Sequence, residues 1–218
     1  MNIGTGRFSY PWRLRVDGPA SGAENMEADE ALLEAQKDPA SVPVLRLFRW
    51  KHPVLSYGRL CDAHQAANQA MILSAREAVR RPTGGGAVFH DLCLSYSLAW
   101  NKDHASFPRS VKEVYRAIHE TVREALSSIG VVASFHPGPS VAGGFCADAP
   151  ATDDLMFQGK KIVGGAMRVT RWGRLYQGNV WAAEAKLKDN AAEAIADAFE
   201  KFFFKSAPAR RPPTPSTK

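Results

Sequence analysis

The segment Arg80–Asp91 carries the clearest potential for chemistry in this chain. It reads Arg-Arg-Pro-Thr-Gly-Gly-Gly-Ala-Val-Phe-His-Asp. Three successive glycines allow a backbone to approach a ligand closely and to aim N–H groups at a carboxylate or phosphate. Arg80 and Arg81 beside them could donate forked hydrogen bonds to the same anion. A plain glycine turn between a helix and a strand is the other interpretation of these residues.

Two familiar nucleotide-binding loops are excluded for this segment. A Walker A loop needs Lys-Ser/Thr directly after its glycines, and Ala87-Val88 stand there instead. A dinucleotide-binding fingerprint opens a helix, whereas the residues after Gly86 predict a strand.

A second segment, Gly159–Ala166, places a lysine among small residues. It reads Gly-Lys-Lys-Ile-Val-Gly-Gly-Ala, and its alternation predicts a strand with Lys161 and Val163 on one face and Ile162 on the other. A lysine in this setting could hold a carbonyl or a mixed-anhydride oxygen. A hairpin with two solvated lysines is the alternative.

Together the two segments resemble the lipoate branch of the biotin/lipoate protein ligase superfamily. Its lipoyl-binding loop reads Arg-Arg-x-Ser/Thr-Gly-Gly-Gly/Arg-Ala-Val-x-His-Asp, which residues 80–91 match throughout. Its Lys-x-x-Gly-Ser-Ala segment falls on 161–166, with Gly165 in place of the usual serine. The resemblance extends from about residue 12 to residue 200, with further matches at 22–26, 29–33, 45–50, 56–59 and 177–180. Biotin ligases carry Gly-Arg-Gly-Arg in the ligand loop, so biotin is the less expected acyl group.

The resemblance implies both a fold and a set of site residues. The implied fold is α+β: a mixed, largely antiparallel β-sheet flanked by helices, like the catalytic domains of class II aminoacyl-tRNA synthetases and biotin protein ligases. It implies that the Lys161 ammonium contacts the acyl carbonyl. The implied acyl-binding residues are Arg80, Arg81, Thr83, Gly84, Gly85, Gly86, Ala87, His90, Gly164, Gly165, Ala166 and Gly178.

The family contains two chemistries, and Cys146 bears on the choice between them. Ligases activate free lipoate with ATP, whereas octanoyltransferases pass a preformed acyl group through a cysteine thioester. Cys146-Ala-Asp-Ala-Pro150 resembles the Cys-x-Asp-x-Pro segment that holds the transferase nucleophile, and Cys146 lies fifteen residues before Lys161. A thiolate is a good nucleophile for accepting an acyl chain. Cys146 and Lys161 are therefore the candidate catalytic residues.

Other features of the chain divide between the two chemistries. By resemblance, Gly86 is typical of ligases, because transferases often carry arginine there. Many ligases have a further small domain, and we expect only a helix and a basic tail at this C-terminus. The sequence favours an octanoyltransferase. An ATP-dependent lipoate-protein ligase, with or without a separate accessory subunit, is the alternative, and an inactive lipoate-binding subunit is less expected.

This interpretation also predicts substrates and partners. We expect a lipoate or octanoyl donor as substrate, no tightly bound cofactor and no metal, with ATP and Mg²⁺ needed only by a ligase. The expected acceptors are lipoyl domains of the 2-oxoacid dehydrogenase E2 or glycine cleavage H-protein type. An acyl carrier protein is the expected donor carrier for a transferase. We expect no nucleic-acid or membrane partner.

Periodicity predicts the elements that must position these segments. Helical spacing predicts helices near residues 23–35, 62–79, 111–129 and 191–204. Alternation predicts strands at 12–17, at 44–50 with 53–58 as its neighbour, at 87–89 and 94–100, and at 131–135, 154–158, 161–163 and 174–181. We expect one central mixed sheet to carry the helices, with the glycine loop opening onto an acyl-binding cleft.

Composition indicates a single globular domain. The 218 residues are 45% hydrophobic and 23% charged, which is enough for a full core and excludes wholesale disorder. The net charge is +6, but four basic residues and no acid lie in the last fourteen positions, which leaves +2 on residues 1–204. Such a chain is not an electrostatic reader of nucleic acid. We assign residues 1–205 to the catalytic domain and 206–218 to a disordered, basic, Pro-rich tail.

The same composition predicts a cytoplasmic location. The sequence has no apolar run of about 18 residues, so we expect no transmembrane helix. The first residues lack the pattern of a signal peptide. The three cysteines are odd in number and widely spaced, which favours neither a disulfide framework nor a zinc site.

Overall fold

The computed structural model describes residues 11–91, 93–139, 150–181 and 190–204. The helices are α1 (Gly22–Ala35), α2 (Ala63–Ile72), α3 (Val111–Ser128) and α4 (Ala191–Phe199), which continues into a π-helical turn at Glu200–Phe204. The strands are β1 (Arg13–Val16), β2 (Val44–Phe48), β3 (Val54–Tyr57), β4 (Glu77–Arg80), β5 (Val88–His90), β6 (Leu94–Asn101), β7 (Ser134–Phe135), β8 (Leu155–Phe157), β9 (Lys160–Val169) and β10 (Gly173–Val180).

Seven of these strands form the main sheet, in the order β1-β2-β6-β10-β9-β8-β7. The edge pair β1–β2 is parallel, and the other five pairs are antiparallel. The predicted α+β class with a mixed, largely antiparallel sheet is confirmed.

The predicted central mixed sheet is present, but the helix predicted near 62–79 packs instead against a second, smaller sheet formed by the remaining three strands. Its order is β4-β3-β5, with β3 parallel to β4 and antiparallel to β5. Residues 53–58, predicted as the neighbour of 44–50, therefore pair elsewhere. Alternation identifies a strand but carries no information about its partner, which is fixed by tertiary packing. Here Leu55 of β3 is buried against Ala66 and Ala70 of α2.

The helix predicted over 62–79 is too long. It begins after the N-cap Asp62 and ends at Ile72, and Ser74 has a left-handed φ of 56° that breaks the helix. Residues 77–80 instead pair with β3 as the edge strand β4. Apolar spacing across this stretch fits both states, and the tertiary pairing decides between them. As a result, the glycine loop connects two strands rather than a helix and a strand.

The main sheet is covered on both faces. On one face α3 and α4 pack over an apolar core that includes Ile118, Leu126 and Phe199. Helix α3 begins at the N-cap Ser110, and Gly130, with a φ of +89°, follows its end. On the other face, Leu33 of α1 packs against Ala99 and Leu175. The glycine loop and its small sheet lie on this second face.

Candidate active site

A cavity lies where the glycine loop meets β9 and β10, and both predicted segments line it. The wall includes Arg81, Gly85 and His90 on one side and Gly164, Gly165, Ala166 and Gly178 on the other. The rest of the lining is largely apolar and aromatic and includes Met26, Phe48, Trp50, Val88 and Trp181. The space between these walls, counted together with its open mouth, is about 480 Å³.

The glycine loop is held in shape by close backbone approaches. Gly85 has a φ of +86°, which favours glycine. A Cβ on Gly58 would lie 2.0 Å from the Gly85 carbonyl oxygen, so the turn after β3 also requires glycine. The structure therefore explains two glycines of the resembling motifs as steric requirements of the loop itself.

The two arginines of the motif have different positions. Arg81 is buried, and its guanidinium donates to the carbonyls of Gly84 at 2.6 Å and Gly86 at 2.7 Å, and to the Ser56 carbonyl at 3.2 Å. These bonds hold the loop. Arg80 is exposed, lies over the Tyr57 ring, and lines a neighbouring cleft together with Arg59 and Arg168. Only Arg81 of the pair lines the cavity.

His90 is a neutral, buried member of the cavity wall. Its Nε2 is 2.7 Å from Ser56 Oγ, its Nδ1 is 3.4 Å from Cys93 Sγ, and its ring stacks on Trp50 with centroids 4.0 Å apart. Burial, with the nearby Arg81 charge as a second cause, lowers the pKa of His90 well below its ordinary value. The imidazole can therefore offer one N–H donor and one acceptor, but no charge at neutral pH.

Lys161 is buried as an ion pair behind the cavity wall. Its Nζ lies 2.8 Å from Asp154 Oδ2, and the two side chains are only 2% and 3% exposed. A Cβ on Gly164 would lie 2.4 Å from Lys161 Cε and 2.8 Å from Nζ. The glycine leaves the end of the lysine side chain next to the cavity. Lys160, by contrast, is exposed. Because Lys161 is buried, the alternative of a hairpin with two solvated lysines is excluded.

Gly165 and Gly178 are directly opposite each other on β9 and β10 and lie against two buried tyrosines. A Cβ on Gly165 would be 2.0 Å from the Tyr176 hydroxyl, and a Cβ on Gly178 would be 2.3 Å from Tyr96 Cζ. The serine expected at 165 from the resemblance does not fit beside Tyr176. The sequence difference therefore has a steric reason in this chain.

Sequence reasoning missed a buried polar network that connects α1 to the cavity. Asp29 accepts from Arg46 Nη1 at 2.8 Å, from Ser97 Oγ at 2.6 Å and from Gln177 Nε2 at 2.7 Å. Gln177 in turn accepts from Thr83 Oγ1 at 2.6 Å, which fastens the glycine loop to β10. Burial raises the pKa of the Asp29 carboxyl, while Arg46 acts in the opposite direction. The signal in the sequence was Arg46, a charged residue inside an apolar strand.

Sequence reasoning also missed a second buried group, His119 of α3. Its Nδ1 donates to the Asp153 carbonyl at 2.5 Å, and its Nε2 accepts from the Tyr176 hydroxyl at 2.5 Å. Burial lowers the pKa of His119, which agrees with this neutral tautomer. His119 thus connects α3, the turn before β8 and β10.

Two of the three cysteines lie within the residues that the structure describes. Cys146 lies outside the described residues. Cys93 is buried, and desolvation raises its pKa to about 12, so it is not a thiolate at neutral pH. Cys61 donates a weak hydrogen bond to the Gly85 carbonyl at 3.3 Å. Neither Cys61 nor Cys93 is disulfide-bonded.

Two further findings concern only the part of the chain that the structure describes. No helix there has the length and apolar character required to cross a bilayer. Within the same ranges, no group of three or more His, Cys, Asp and Glu residues is arranged to hold a metal ion.

Comparison with known proteins identifies the family of this site. The sequence model described as "Lipoyl protein ligase A/B catalytic domain" matches residues 21–205. The chain belongs to this family. The lipoyl protein ligase A/B match includes the glycine loop, β9 and β10, so every residue of the cavity described above lies within it.

One relative and two solved structures illustrate how similar this chain is to known proteins. The chain is 35% identical over 180 residues to "Octanoyltransferase LipM" of Kyrpidia tusciae, a match that covers 78% of this chain and 65% of that protein. A T. acidophilum protein solved with bound lipoic acid matches with a TM-score of 0.69 at 20% identity, covering 88% of this chain and 85% of the other. A bipartite lipoate protein ligase, described with its E2 lipoyl domain from Thermoplasma acidophilum, gives 0.64 at 19%, covering 88% and 84%. These two structures show a shared fold.

Proposed function

We propose that this protein is an octanoyltransferase that moves an octanoyl group to the acceptor lysine of a lipoyl domain. The observation that carries the proposal is the buried Lys161 ammonium beside Gly164, at the wall of a largely apolar cavity. A cavity of this kind suits an aliphatic chain, and a fixed cation suits a carbonyl that gains negative charge. The 35% sequence identity to an octanoyltransferase, in a match that covers 78% of the chain, supports the same choice.

In this proposal, the acyl group is bound by the residues that the sequence singled out. Gly85, His90, Gly164, Gly165, Ala166 and Gly178 contact it from the walls, and Arg81 fixes the loop through the Gly84 and Gly86 carbonyls. Thr83 contributes through its hydrogen bond to Gln177, which lines the cavity. Ala87 is buried directly before β5, the strand that carries Val88 and His90 of the wall. Arg80 lies in the neighbouring cleft, where it would face the carrier rather than the acyl chain.

The first step transfers the acyl group to the enzyme. The Cys146 thiolate attacks the carbonyl carbon of the donor thioester, and the C=O electron pair moves to the oxygen, beside the Lys161 ammonium. Collapse breaks the bond to the donor sulfur. The donor leaves as a thiolate and takes up a proton, so the acyl-enzyme is again a thioester.

The second step delivers the acyl group to the acceptor. The neutral amine of the lipoyl-domain lysine attacks the thioester carbonyl of the acyl-enzyme, and a C–N bond forms. The C–S bond to Cys146 breaks, and the proton lost by the amine restores the thiol. No oxidant, reductant or metal is required by either step.

The remaining features of the proposal concern the whole protein. The donor is an octanoyl thioester on an acyl carrier protein, and the acceptors are lipoyl domains of the E2 or H-protein type. The catalytic domain is residues 1–205, followed by the basic tail 206–218. The reaction takes place in the cytoplasm, where the free thiols Cys61 and Cys93 remain reduced.

Mass spectrometry of an apo lipoyl domain tests the proposal. The domain is incubated with the protein and either octanoyl-acyl carrier protein or free lipoate plus ATP and Mg²⁺. We expect an octanoyl mass on the acceptor lysine with the first donor alone. Lipoylation that requires ATP, with no transfer from the carrier, would assign the protein to the ligases, as Gly86 suggests. No modification under either condition would contradict both assignments.

A further inference from the structure

We propose that Asp154 is the positioning residue of this site: its carboxylate holds the Lys161 ammonium behind Gly164 and so presents it to the acyl carbonyl. The inference rests on the proposed function and extends it to a residue outside both predicted segments. Asp154 does not line the cavity, and it acts through Lys161.

The Asp154 carboxylate makes two short contacts through the same oxygen. Oδ2 accepts from Lys161 Nζ at 2.8 Å and from the Ala151 backbone N–H at 2.6 Å. The other oxygen, Oδ1, lies 3.4 Å from the place that a Gly164 Cβ would occupy. The ion pair and the thin part of the cavity wall are therefore adjacent.

The backbone around Asp154 is itself held by contacts that do not involve Lys161. The Asp154 N–H donates to the Ala151 carbonyl at 3.0 Å, and the Asp154 carbonyl accepts from the His136 N–H at 2.7 Å. The preceding carbonyl, of Asp153, accepts from His119 at 2.5 Å. Asp154 is thus a fixed point, and the four-carbon stem of the lysine is the flexible partner that it orders.

Burial makes this ordering necessary. A lysine side chain has several rotatable bonds, and an ammonium that is almost completely removed from water is costly unless a counter-charge lies close to it. The Asp154 contact holds the ammonium beside Gly164. Without this contact, we expect the lysine side chain to populate other rotamers, in which the ammonium lies farther from the acyl carbonyl.

The neighbouring residue supplies a matched control. Asp153 is in the same turn and has the same carboxylate, but it pairs with the half-exposed Arg116 at 2.8 Å. Its φ of 71° is one that asparagine tolerates well. Asp153→Asn therefore removes a charge from the same turn without altering the Lys161 pair.

The first test compares the steady-state octanoyl transfer of Asp154→Asn and Asp153→Asn. For Asp154→Asn we expect kcat to fall by roughly 10- to 100-fold, the cost typical of misplacing a catalytic group, with KM within about threefold of the wild-type value. For Asp153→Asn we expect both within about twofold. A wild-type kcat in Asp154→Asn, or equal losses in the two variants, would overturn the proposal.

A double-mutant cycle separates positioning from general stability. Lys161→Met removes the ammonium and keeps the stem, so Asp154→Asn should change kcat by less than about twofold in that background. A further tenfold loss would show that Asp154 acts independently of Lys161 and would overturn the proposal. This comparison remains available if Asp154→Asn alone does not fold.

Melting curves of the same variants give a measurement that does not depend on enzymatic activity. Asp154→Asn removes the carboxylate charge that lies 2.8 Å from the buried ammonium, whereas the double variant removes both charges, so we expect the Tm of Asp154→Asn to be lower than that of Asp154→Asn/Lys161→Met. Equal Tm values would contradict the ion-pair contact. If wild-type protein transfers no octanoyl group from either donor, the proposed function fails, while the melting curves still decide whether the pair exists.

Discussion

At the scale of single residues, the surroundings decide which of several similar groups can do chemistry. Lys160 and Lys161 are neighbours, yet only Lys161 is buried against a carboxylate and next to the cavity. Arg80 and Arg81 are also neighbours, and only Arg81 holds the glycine loop. The thiol of Cys93 is kept protonated by burial, which raises its pKa to about 12. Cys93 is therefore poorly suited to be the nucleophile of the proposed mechanism.

Cys146→Ser tests which residue supplies that nucleophile. We expect wild-type protein incubated with octanoyl-acyl carrier protein, without a lipoyl domain, to gain the mass of one octanoyl group that hydroxylamine removes. The serine variant should form no such species and should lose nearly all transfer, because a hydroxyl without a dedicated base is a poor nucleophile.

Cys61→Ser is the matched control, since Cys61 donates to the Gly85 carbonyl of the loop without any proposed covalent role. It should retain the acyl-enzyme. Full transfer by Cys146→Ser would contradict the thioester mechanism and favour the adenylate route.

At the scale of elements, the site depends on two antiparallel strands that carry glycines at paired positions. Gly165 of β9 and Gly178 of β10 are opposite each other, and the rings of Tyr176 and Tyr96 fill the space where their side chains would be. The tyrosine rings stack with centroids 5.8 Å apart. The strands can thus form a thin cavity wall that is supported from behind by a rigid aromatic pair.

Gly165→Ser tests this packing. A Cβ at 165 would lie 2.0 Å from the Tyr176 hydroxyl and 2.8 Å from the Gln177 carbonyl oxygen, so the strand or the ring must move. We expect the free energy of unfolding, measured by urea denaturation, to fall by about 1–3 kcal/mol, which is typical of overpacking. Gly18→Ser, where a Cβ meets nothing within 4 Å, should change it by less than about 0.5 kcal/mol. Equal effects would disprove the steric account.

At the scale of the whole molecule, buried neutral histidines connect the layers around the site. His90 is hydrogen-bonded to Ser56 of the small sheet and stacks on Trp50 in the cavity wall, and His119 connects α3 to β10. Burial lowers the pKa of both, and it also lowers that of half-buried His104. Because the unfolded chain binds these protons more readily than the folded one, folding is linked to pH.

The sign of that linkage gives a prediction. A histidine whose pKa is lowered by folding leaves stability unaffected above its unfolded value near 6.5, and stability is lost as the pH falls below it. We expect the free energy of unfolding to be flat from pH 8 to 7 and to fall between pH 6.5 and 5, by up to about 1.4 kcal/mol per pH unit for each histidine. Urea denaturation at a series of pH values measures the slope.

His119→Gln should reduce this slope, because glutamine can donate to the Asp153 carbonyl but has no proton to gain in this range. The lowered carboxyl pKa of Asp17 acts at lower pH and does not affect this window. A slope that is the same in the variant would show that His119 is not one of the linked groups.

The sequence by itself determined the family, the fold class and the segments that form the cavity. Arg80–Asp91 and Gly159–Ala166 could be read because glycine runs and an isolated lysine among small residues are local patterns. The helices near 23–35 and 111–129 followed from periodicity and capping, which are also local. Their agreement with the structure reflects the fact that each pattern lies within one element.

Only the tertiary structure decided how those segments meet. It separated β3, β4 and β5 into a second sheet and ended α2 at Ile72, because pairing and packing between distant residues outweigh local spacing. It also assigned Asp154 to Lys161, and Tyr176 to the space beside Gly165. These relations join residues that belong to different elements of the chain. No spacing along the chain encodes them, since the contacts exist only once the sheet has formed.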